Sequence, residues 1–461
     1  MENKEHGLKR HLKARHIRLM ALGSTIGVGL FLGSATAIQI AGPSILLAYL
    51  LAGMVAFVVL RTLGEMAVHE PVAGSFASYA STYVSPLTGY MVGWGYWTYW
   101  VVVAIAEVTA VGIYMGMWFP DIPQWIWALS SIILMGLINM IAVKVFGEFE
   151  FWFALIKIVA IVLMIVLGGA VIFLGFTNDW VPMGLSNLWQ HGGFFPNGFS
   201  GLLLSLHMVL FAYVGIEMIG LSAGEAQNPK KTIPMAIDSL TWRILIFYLG
   251  ALLVILAIFP WNEVGQQGSP FVEMFERIGL REAAGVINFV VITAALSSCN
   301  AGIFSGGRLL WALSANGYAP RRFAYLSNNG VPHRAVIGTV CVPMIGVILN
   351  YFVPDKAFHY MMAAVTFVGL MVWIAILFTH YRFRSSLSTK QLSELTYRAP
   401  WWPYSSWFAL GFIFMVIVLM SFHEDARIAL IVGPILLALY MVLYYVFGLD
   451  KKQKFQLGEQ K

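Results

Sequence analysis

Charged residues are scarce in this sequence and are missing from long stretches of it. Of the 461 residues, 59% are hydrophobic and 11% are charged, whereas about 25% of the residues of a soluble domain carry a charge. No Asp, Glu, Lys or Arg occurs in residues 19–60, 71–106 or 180–216. Since a bilayer helix needs about 20 apolar residues, such stretches must contain loops or more than one span. The scarcity of charge therefore excludes a soluble globular protein and predicts an integral membrane protein.

Cysteine is also rare, and a cleavable signal peptide is not expected. The two cysteines, Cys299 and Cys341, fall in predicted spans, where a free thiol behaves as a small apolar group. They give no disulfide framework. Residues 1–18 are polar and basic, and the apolar run that follows them is too long for a signal sequence.

The apolar runs predict twelve membrane spans, numbered here 1 to 12 along the chain. The predicted spans cover residues 19–40, 44–60, 86–118, 124–143, 151–175, 199–221, 241–260, 284–305, 335–353, 358–380, 404–422 and 428–448. An even number of spans places both termini on the same side of the membrane. No loop is long enough to hold a soluble domain.

The distribution of Lys and Arg orients these spans. With the N-terminus in the cytoplasm, 23 of the 28 basic residues lie on the cytoplasmic side and four lie outside, while Lys157 lies within span 5. Such an excess is the positive-inside pattern of membrane proteins. The net charge of +6 therefore reports topology, and nucleic acid is not predicted as a partner.

Two of the predicted spans contain residues that weaken a helix at mid-depth. Span 1 contains "GSTIGVG" (residues 23–29, the span 1 break), and span 6 contains "FAYVGIE" (residues 211–217, the span 6 break). Glycine costs about 1 kcal/mol per helix position relative to alanine. Gly27 and Gly215 lie at similar depths five helices apart, as in transporters built from two inverted five-helix repeats whose first helices are discontinuous.

This pattern predicts an all-α fold of twelve transmembrane helices in a 5+5 inverted repeat, with discontinuous helices 1 and 6 and two extra C-terminal helices. The predicted parts are a cytoplasmic tail (1–18), the first repeat (19–175), the second repeat (199–380), spans 11 and 12 (404–448) and a second cytoplasmic tail (449–461).

A broken membrane helix offers backbone groups to a ligand. The freed amides at the start of one half-helix attract a carboxylate, and the freed carbonyls at the end of another attract an ammonium group. Two facing breaks therefore form a receptor for an α-amino acid. In span 1 alone, the pairs Gly23/Gly27 and Gly29/Gly33 also fit the alternative that small residues let helices pack closely.

Several segments of the chain resemble bacterial amino acid permeases of the amino acid transporter branch of the amino acid–polyamine–organocation superfamily. They are "STIGVGLFLGS", "AGPSILLAYLLAG", "RTLGEMAVHEPVAGSFASYA", "VKVFGEFEFWFALIKIVAI", "FAYVGIEMIGLSAGEAQNPKKTIPMAI" and "GRLLWALSANGYAP". The sequence is most similar to permeases for aromatic amino acids, proline, histidine, threonine and D-alanine or glycine. This resemblance implies the 5+5 fold and proton-coupled uptake across the bacterial cytoplasmic (inner) membrane.

The resemblance also implies positions for the substrate. The carboxylate is expected at the backbone of Thr25, Gly27, Val28 and Gly29, with Ser24 as possible support. The amino group is expected at the backbone of Phe211, Ala212 and Val214. The expected gate or pocket side chains are those of Phe211, Tyr213 and Trp100. Val28 stands where some relatives have serine, so one hydroxyl contact with the carboxylate is missing here.

Three ionisable residues inside the spans are candidates for proton coupling, because such residues cost roughly 2.5–3.5 kcal/mol on insertion scales. Lys157 lies in span 5, which in the implied fold borders the sodium site of sodium-coupled relatives, so its ammonium would replace the metal charge. The alternative is that Lys157 extends toward the cytoplasm. Glu107 lies in the middle of span 3, where relatives often have a carboxylate, and its alternative roles are contact with the substrate ammonium group and structural pairing with a polar neighbour.

Glu217 follows Gly215 in the span 6 break by two residues. It is expected either to organise the break by hydrogen bonding or to relay protons. Glu65 is expected to form a solvated ion pair with Arg61, one turn away. Ser297, Ser298 and Asn300 of span 8 are possible supports of the site beside span 5, or simply hydrogen-bond partners between helices.

The predicted function is proton-coupled symport of an L-amino acid by alternating access. The substrate is expected to be neutral and medium-sized or large, of the aromatic, proline, histidine or threonine type. The alternatives are an exchanger or a sodium symporter and, more remotely, a channel or an enzyme. No catalytic group, metal or cofactor is predicted apart from the transported proton. The predicted partners are the free amino acid and the lipid bilayer, and the sequence identifies no obligate protein partner.

Overall fold

The computed structural model describes residues 26–450, except residues 73, 142, 177, 223–227, 266–268 and 328–329. This part of the chain is helical and contains no strand. Helices occupy each of the twelve predicted spans. In spans 1 to 6 they are Val28–Phe31 with Gly33–Ala41, Ile45–His69, Pro86–Gly116, Gln124–Ile141, Val143–Leu174, and Gly198–Phe211 with Met218–Ser222. In spans 7 to 12 they are Pro229–Ile258, Arg281–Ala315, His333–Phe352, Pro354–Ser386, Tyr404–Met420 and Glu424–Val446.

Short helices connect some of these spans. They are Ser75–Tyr83, Asn187–Gln190, Pro270–Arg277 and Thr389–Glu394, with 3-10 turns at Gly42–Ser44 and Arg321–Ala324. The turn between spans 1 and 2 requires glycine, because Gly42 has a φ of 61° and an added methyl group there would overlap Pro196.

The helices have the length and apolarity of a membrane protein. Within the described residues, nine helical segments are long and apolar enough to cross a bilayer, with Gly33–His69 taken as one segment. Gly198–Phe211 and Tyr404–Met420 are apolar but shorter. The prediction of an all-α membrane protein is thus confirmed, whereas the inverted repeat, its boundaries and the orientation of the termini stay predictions.

Some helices extend beyond their apolar windows. The helix of span 5 begins at Val143 instead of residue 151, and the helix of span 8 continues to Ala315 instead of residue 305. The added turns contain polar residues that are buried in the protein, such as Glu150 and Ser314. The Ser314 hydroxyl donates to the carbonyl of Pro320 at 2.7 Å. Because protein contacts satisfy the hydrogen-bonding groups of these polar residues, the helices continue through them.

Spans 3 and 8 form the centre of the molecule, where they pack against each other. In the most apolar stretch of each helix, 83% of the residues are buried in span 8 and 78% in span 3, whereas only 22% are buried in span 12. Gly302 of span 8 makes the contact close, since an added methyl group would lie 3.3 Å from Cε3 of Trp100. Groups carried by spans 3 and 8 are therefore held in the protein interior.

The expectation for Glu65 was wrong. Its side chain is fully buried and does not pair with Arg61 in solvent. Instead, Nε and Nη2 of Arg384 donate to its two oxygens at 2.6 and 2.7 Å. The backbone N–H of Ala399 donates at 2.6 Å, and Arg61 pairs with Asp238 at 3.1 Å. Glu65 thus joins span 2 to span 10 and to the segment that follows it, a pairing between residues far apart in the sequence.

Candidate functional site

The described part of the span 1 break is extended and leads into a helix. Gly27 has φ and ψ angles of −118° and −158°, and the helix begins at Val28. The helix is irregular at Leu32, whose N–H still donates to the Val28 carbonyl at 2.8 Å. Ser24 and Thr25, which were predicted in this site, lie outside the described residues. The backbone N–H groups at 27–29 thus lie at the start of a half-helix, where such groups have no partner within the helix.

Span 6 is interrupted at the predicted position. Its first helix ends at Phe211, and residues 212–217 form turns before helix resumes at Met218. Gly215 has a φ of 110°, which an L side chain rarely adopts. The chain therefore leaves helical geometry in the middle of an apolar span, which is tolerated in membranes only where protein or a water-filled cavity satisfies the backbone.

The two breaks are in contact with each other. A methyl group added at Gly29 would lie 2.9 Å from Cα and 3.2 Å from N of Ala212, and 3.1 Å from a ring carbon of Phe211. A methyl group at Gly33 would be 3.6 Å from the same ring. Glycine at position 29 therefore lets the backbones of spans 1 and 6 approach as closely as they do, and places Phe211 over the helix of span 1.

The other residues of the span 6 break are held by neighbouring helices. The Ala212 carbonyl accepts a hydrogen bond from the Tyr248 hydroxyl at 2.8 Å. The Tyr213 hydroxyl donates to the Tyr49 carbonyl at 2.8 Å, and its ring packs against the rings of Tyr49 and Tyr248. The Val214 side chain fits against Gly369 of span 10. Tyr213, a predicted pocket residue, thus has its contacts on spans 2 and 7.

Glu217 binds the backbone of the span 6 break. Its Oε2 accepts hydrogen bonds from the N–H of Gly215 at 3.0 Å and from Nε1 of Trp373 at 2.9 Å. The side chain is fully buried and also interacts with Tyr96. These contacts agree with the organising role considered for Glu217, because the carboxylate satisfies an amide that the helix has released.

Glu107 of span 3 contacts the span 1 break directly. Its Oε1 would lie 2.5 Å from a methyl group added at Gly27, and Oγ of Ser298 would lie 2.8 Å from the same group. The Glu107 carboxylate accepts a hydrogen bond from the Val28 backbone N–H. An acidic side chain of the protein therefore lies at the start of the half-helix, where an anion is stabilised.

Lys157 of span 5 is buried within electrostatic range of two buried carboxylates. Its side chain is fully buried and interacts electrostatically with Glu107 and with Glu150. We call Glu107, Lys157 and Glu150 the lysine cluster. The alternative that Lys157 reaches the aqueous interface is not what the structure shows. A buried lysine can stay protonated in the protein interior only where nearby opposite charges, here the two carboxylates, compensate its charge.

Glu150 is a residue that the sequence analysis missed. It is 1% exposed, and its Oε1 accepts a hydrogen bond from the Ser297 hydroxyl at 2.9 Å. Glu150 lies one residue before the predicted start of span 5, so it counted as part of a polar loop. Its spacing was the available signal, because residues seven apart lie on the same face of a helix about two turns from each other, and Lys157 is seven residues further on.

The three candidate residues of span 8 have different partners. Ser297 binds Glu150, and Ser298 lies against Gly27. The Asn300 side-chain oxygen accepts a hydrogen bond from Asn139 of span 4 at 2.7 Å. Ser297 and Ser298 thus lie at the lysine cluster and the span 1 break, while Asn300 links two helices and also interacts with Glu150 of the lysine cluster.

Trp100 is a buried packing residue of span 3. Besides Gly302, it contacts the rings of Tyr96 and Tyr99 at centroid distances of 5.8 and 5.2 Å. Phe211 instead contacts the ring of Phe358 at 6.2 Å.

In the part of the chain that the structure describes, no group of three or more His, Cys, Asp or Glu side chains is arranged to hold a metal ion.

Comparison with known proteins gives consistent relatives over the full chain. A family model described as "Amino acid permease" matches residues 16–457. Three similar proteins come from Bacillus subtilis (strain 168). The uncharacterized amino acid permease YtnA is 52% identical over 460 residues, covering 100% of this chain and 99% of that protein. The probable threonine/serine transporter YbxG is 49% identical over 461 residues with the same coverage. The amino-acid permease AapA is 42% identical over 439 residues, covering 95% of each.

Proposed function

This chain belongs to the amino acid permease family, and from that premise we propose that it imports a neutral amino acid together with a proton by alternating access. Members of the family are transporters, and the apolar helices make this one a multi-pass membrane protein. The observation that carries the proposal is the direct contact between the span 1 and span 6 breaks at Gly29 and Ala212. It brings the start of one half-helix to the end of another.

The two breaks supply complementary ends for a zwitterion. The backbone N–H groups of Gly27, Val28 and Gly29 would bind the substrate carboxylate, while carbonyls at the end of the first span 6 helix would bind its amino group. Such half-helix ends carry partial charges of opposite sign. Recognition then uses only the part that all amino acids share, and Phe211 covers the substrate from span 6.

Glu107 links the binding of substrate to the binding of a proton. It already accepts a hydrogen bond from Val28, one of the amides proposed for the substrate carboxylate. Two carboxylates at one half-helix end repel each other in a poorly hydrated interior. We therefore infer that substrate binding requires Glu107 to take up a proton or to move toward Lys157.

By the resemblance, span 5 borders the site where sodium-coupled relatives of the wider superfamily bind their cation, and the protonated Lys157 side chain would replace that positive charge. A second cation beside it would be repelled, which favours a proton over sodium as the coupling ion. One charge that moves through 100 mV contributes about 2.3 kcal/mol. Since 1.4 kcal/mol is a factor of ten, one coupled proton supports roughly fifty-fold accumulation.

The first substrates to test are threonine and serine. The sequence favours a neutral substrate, and the relative that is 49% identical is named a probable threonine/serine transporter. Proline, histidine and phenylalanine complete the set, because the sequence resemblance extends to permeases for these types.

The test is uptake into proteoliposomes with an inward proton gradient and no sodium. We expect one or a few of these amino acids to accumulate and to leave again when a protonophore is added. Protein-free liposomes, and proteoliposomes without a gradient, are the controls. Exchange by preloaded vesicles without any accumulation would favour the exchanger, and a requirement for sodium would favour the sodium symporter. Either result would contradict the proposed proton coupling.

A further inference from the structure

We propose that Glu150 is the proton acceptor of Lys157 on the side of the lysine cluster away from the substrate. This inference rests on the proposed proton-coupled function. It assigns a role to a residue outside the two breaks, which bind the substrate in that proposal.

The burial of Glu150 is specific. Glu148 and Glu150 belong to the same helix and are two residues apart, yet Glu148 is exposed and Glu150 is 1% exposed. A carboxylate in the interior of a membrane protein is costly and is found mostly where it pairs or serves function. The residues between Glu150 and Lys157 are all hydrophobic, so burial of an acid here needs a compensating partner.

The partners of Glu150 leave one of its oxygens available. Oε1 accepts the Ser297 hydroxyl, which fixes the orientation of the carboxylate. Oε2 is buried and has no hydrogen-bond partner among the described residues. The ionisable groups that interact electrostatically with Lys157 are Glu150 of its own helix and Glu107 of span 3. Around Glu150, span 8 contributes the neutral polar side chains of Ser297 and Asn300, both of which interact with its carboxylate.

Helix geometry brings Lys157 toward Glu150. The two residues are seven positions apart, so they share a helix face with a rise of about 10 Å between them. Side chains of a helix lean toward its N-terminus, and Glu150 is on the N-terminal side of Lys157. The long lysine side chain therefore leans toward Glu150. The positive-inside distribution assigns this end of span 5 to the cytoplasm, whereas Glu107 lies at the span 1 break.

The proposed step conserves charge within the pair. A proton leaves Nζ of Lys157 and binds Oε2 of Glu150, so that one N–H bond breaks and one O–H bond forms. An ammonium–carboxylate pair becomes an amine and a carboxylic acid, and the net charge of the pair is zero before and after. Glu150 then releases the proton toward the cytoplasm, and Lys157 regains one from Glu107 after the substrate has left.

The experiment compares Glu150→Gln with the matched control Glu148→Gln in proteoliposomes. Both variants replace one carboxylate in the same helix, but only the first removes a buried one. We expect Glu150→Gln to exchange external for internal substrate at the wild-type rate and to lose proton-driven accumulation, from roughly fifty-fold to about one. Glu148→Gln is expected to accumulate substrate as the wild type does.

The conservative variant Glu150→Asp keeps a carboxylate about one methylene further from Lys157. It is expected to recover proton-driven accumulation with a pH profile displaced from that of the wild type. This variant also keeps the inference testable if Glu150→Gln does not fold, because an unchanged pH profile in Glu150→Asp would count against proton transfer through this residue.

The outcomes separate the inference from the function on which it rests. If wild type and Glu150→Gln both accumulate substrate equally, the role of Glu150 is refuted and the symporter stands. If folded Glu150→Gln loses exchange and accumulation together, Glu150 is a structural residue and the inference is again refuted. If the wild type exchanges substrate but never accumulates it, the proton-coupled function itself is wrong, and the role of Glu150 is wrong with it.

Discussion

Replacement of Gly29 by alanine tests the contact between the two breaks most directly. The added methyl group would lie 2.9 Å from Cα and 3.2 Å from N of Ala212. These are backbone atoms, and Ala212 is further held by the bond from Tyr248 to its carbonyl. No flexible side chain can move aside to relieve the main clash, so the two breaks must separate.

The size of the effect follows from this distance. Carbon atoms in favourable contact are about 3.5–4.0 Å apart, so spans 1 and 6 must separate by roughly 0.6 Å or more. Overpacking of this kind costs about 1–3 kcal/mol. If this cost falls on the state that binds substrate, affinity decreases by a factor of roughly 5 to 150.

The assay measures KM for uptake and Kd for substrate in the purified protein. Gly95→Ala is the matched control, because Gly95 lies in the helix of span 3 and a methyl group there meets nothing within 4 Å. Alanine is the better helix former by about 1 kcal/mol, so the control is expected to keep its KM and to unfold at the same or a higher temperature.

Wild-type KM and Kd in a folded Gly29→Ala variant would refute the argument. In that case the two breaks would not have to touch in the state that binds substrate. An equal loss in Gly29→Ala and Gly95→Ala would also refute it, because the loss would then come from the replacement of a membrane glycine and not from the contact with Ala212.

Three further substitutions test the buried charges. Lys157→Ala is expected to keep substrate exchange and lose concentrative uptake, and unchanged proton-driven accumulation in proteoliposomes would contradict its coupling role. Glu217→Gln is expected to destabilise the fold by about 1–3 kcal/mol, because its amide oxygen would replace Oε2 while its N–H₂ group would replace the buried Oε1, which has no hydrogen-bond partner among the described residues; thermal unfolding measures this, and wild-type stability would contradict it. Arg384→Gln leaves Glu65 buried without its bidentate partner and is expected to cost about 3–5 kcal/mol, while the exposed Arg382→Gln serves as the control; equal stability of these two variants would contradict the pairing.

The interruptions of spans 1 and 6 could be located from the sequence because they depend on local chemistry. Glycine weakens a helix wherever it occurs, and in these two spans it stands close to polar residues, Ser24 and Thr25 in span 1 and Glu217 in span 6. The structure accordingly has Gly27 extended and Gly215 at a positive φ. Neither glycine, however, reveals which surface the break contacts. The approach of Gly29 to Ala212 depends on how distant segments pack.

The partners of the buried acids could not be predicted, because they come from distant parts of the chain. Glu65 has a nearby arginine in Arg61, but its partner is Arg384, which is 319 residues away. Glu150 was excluded by the rule that a charge ends an apolar window. That rule assumes that a charged residue faces water or headgroups, and it fails where another helix supplies the partner, as Ser297 does for Glu150.

The two breaks differ in how their released backbone groups are satisfied. Around the span 6 break, Glu217 accepts from an amide and an indole N–H, and Ala212 accepts from a tyrosine hydroxyl. These donors are neutral and keep their hydrogen atoms at ordinary pH, and both bonds to Glu217 end on Oε2, so a proton bound at Oε1 would leave them in place. The Val28 amide instead faces Glu107. Both Glu107 and Glu150 interact electrostatically with Lys157. A proton gained or lost in the lysine cluster therefore alters the contact made to span 1 and leaves that of span 6 unchanged. On this ground we propose that span 1 is the break through which proton binding would act on the substrate.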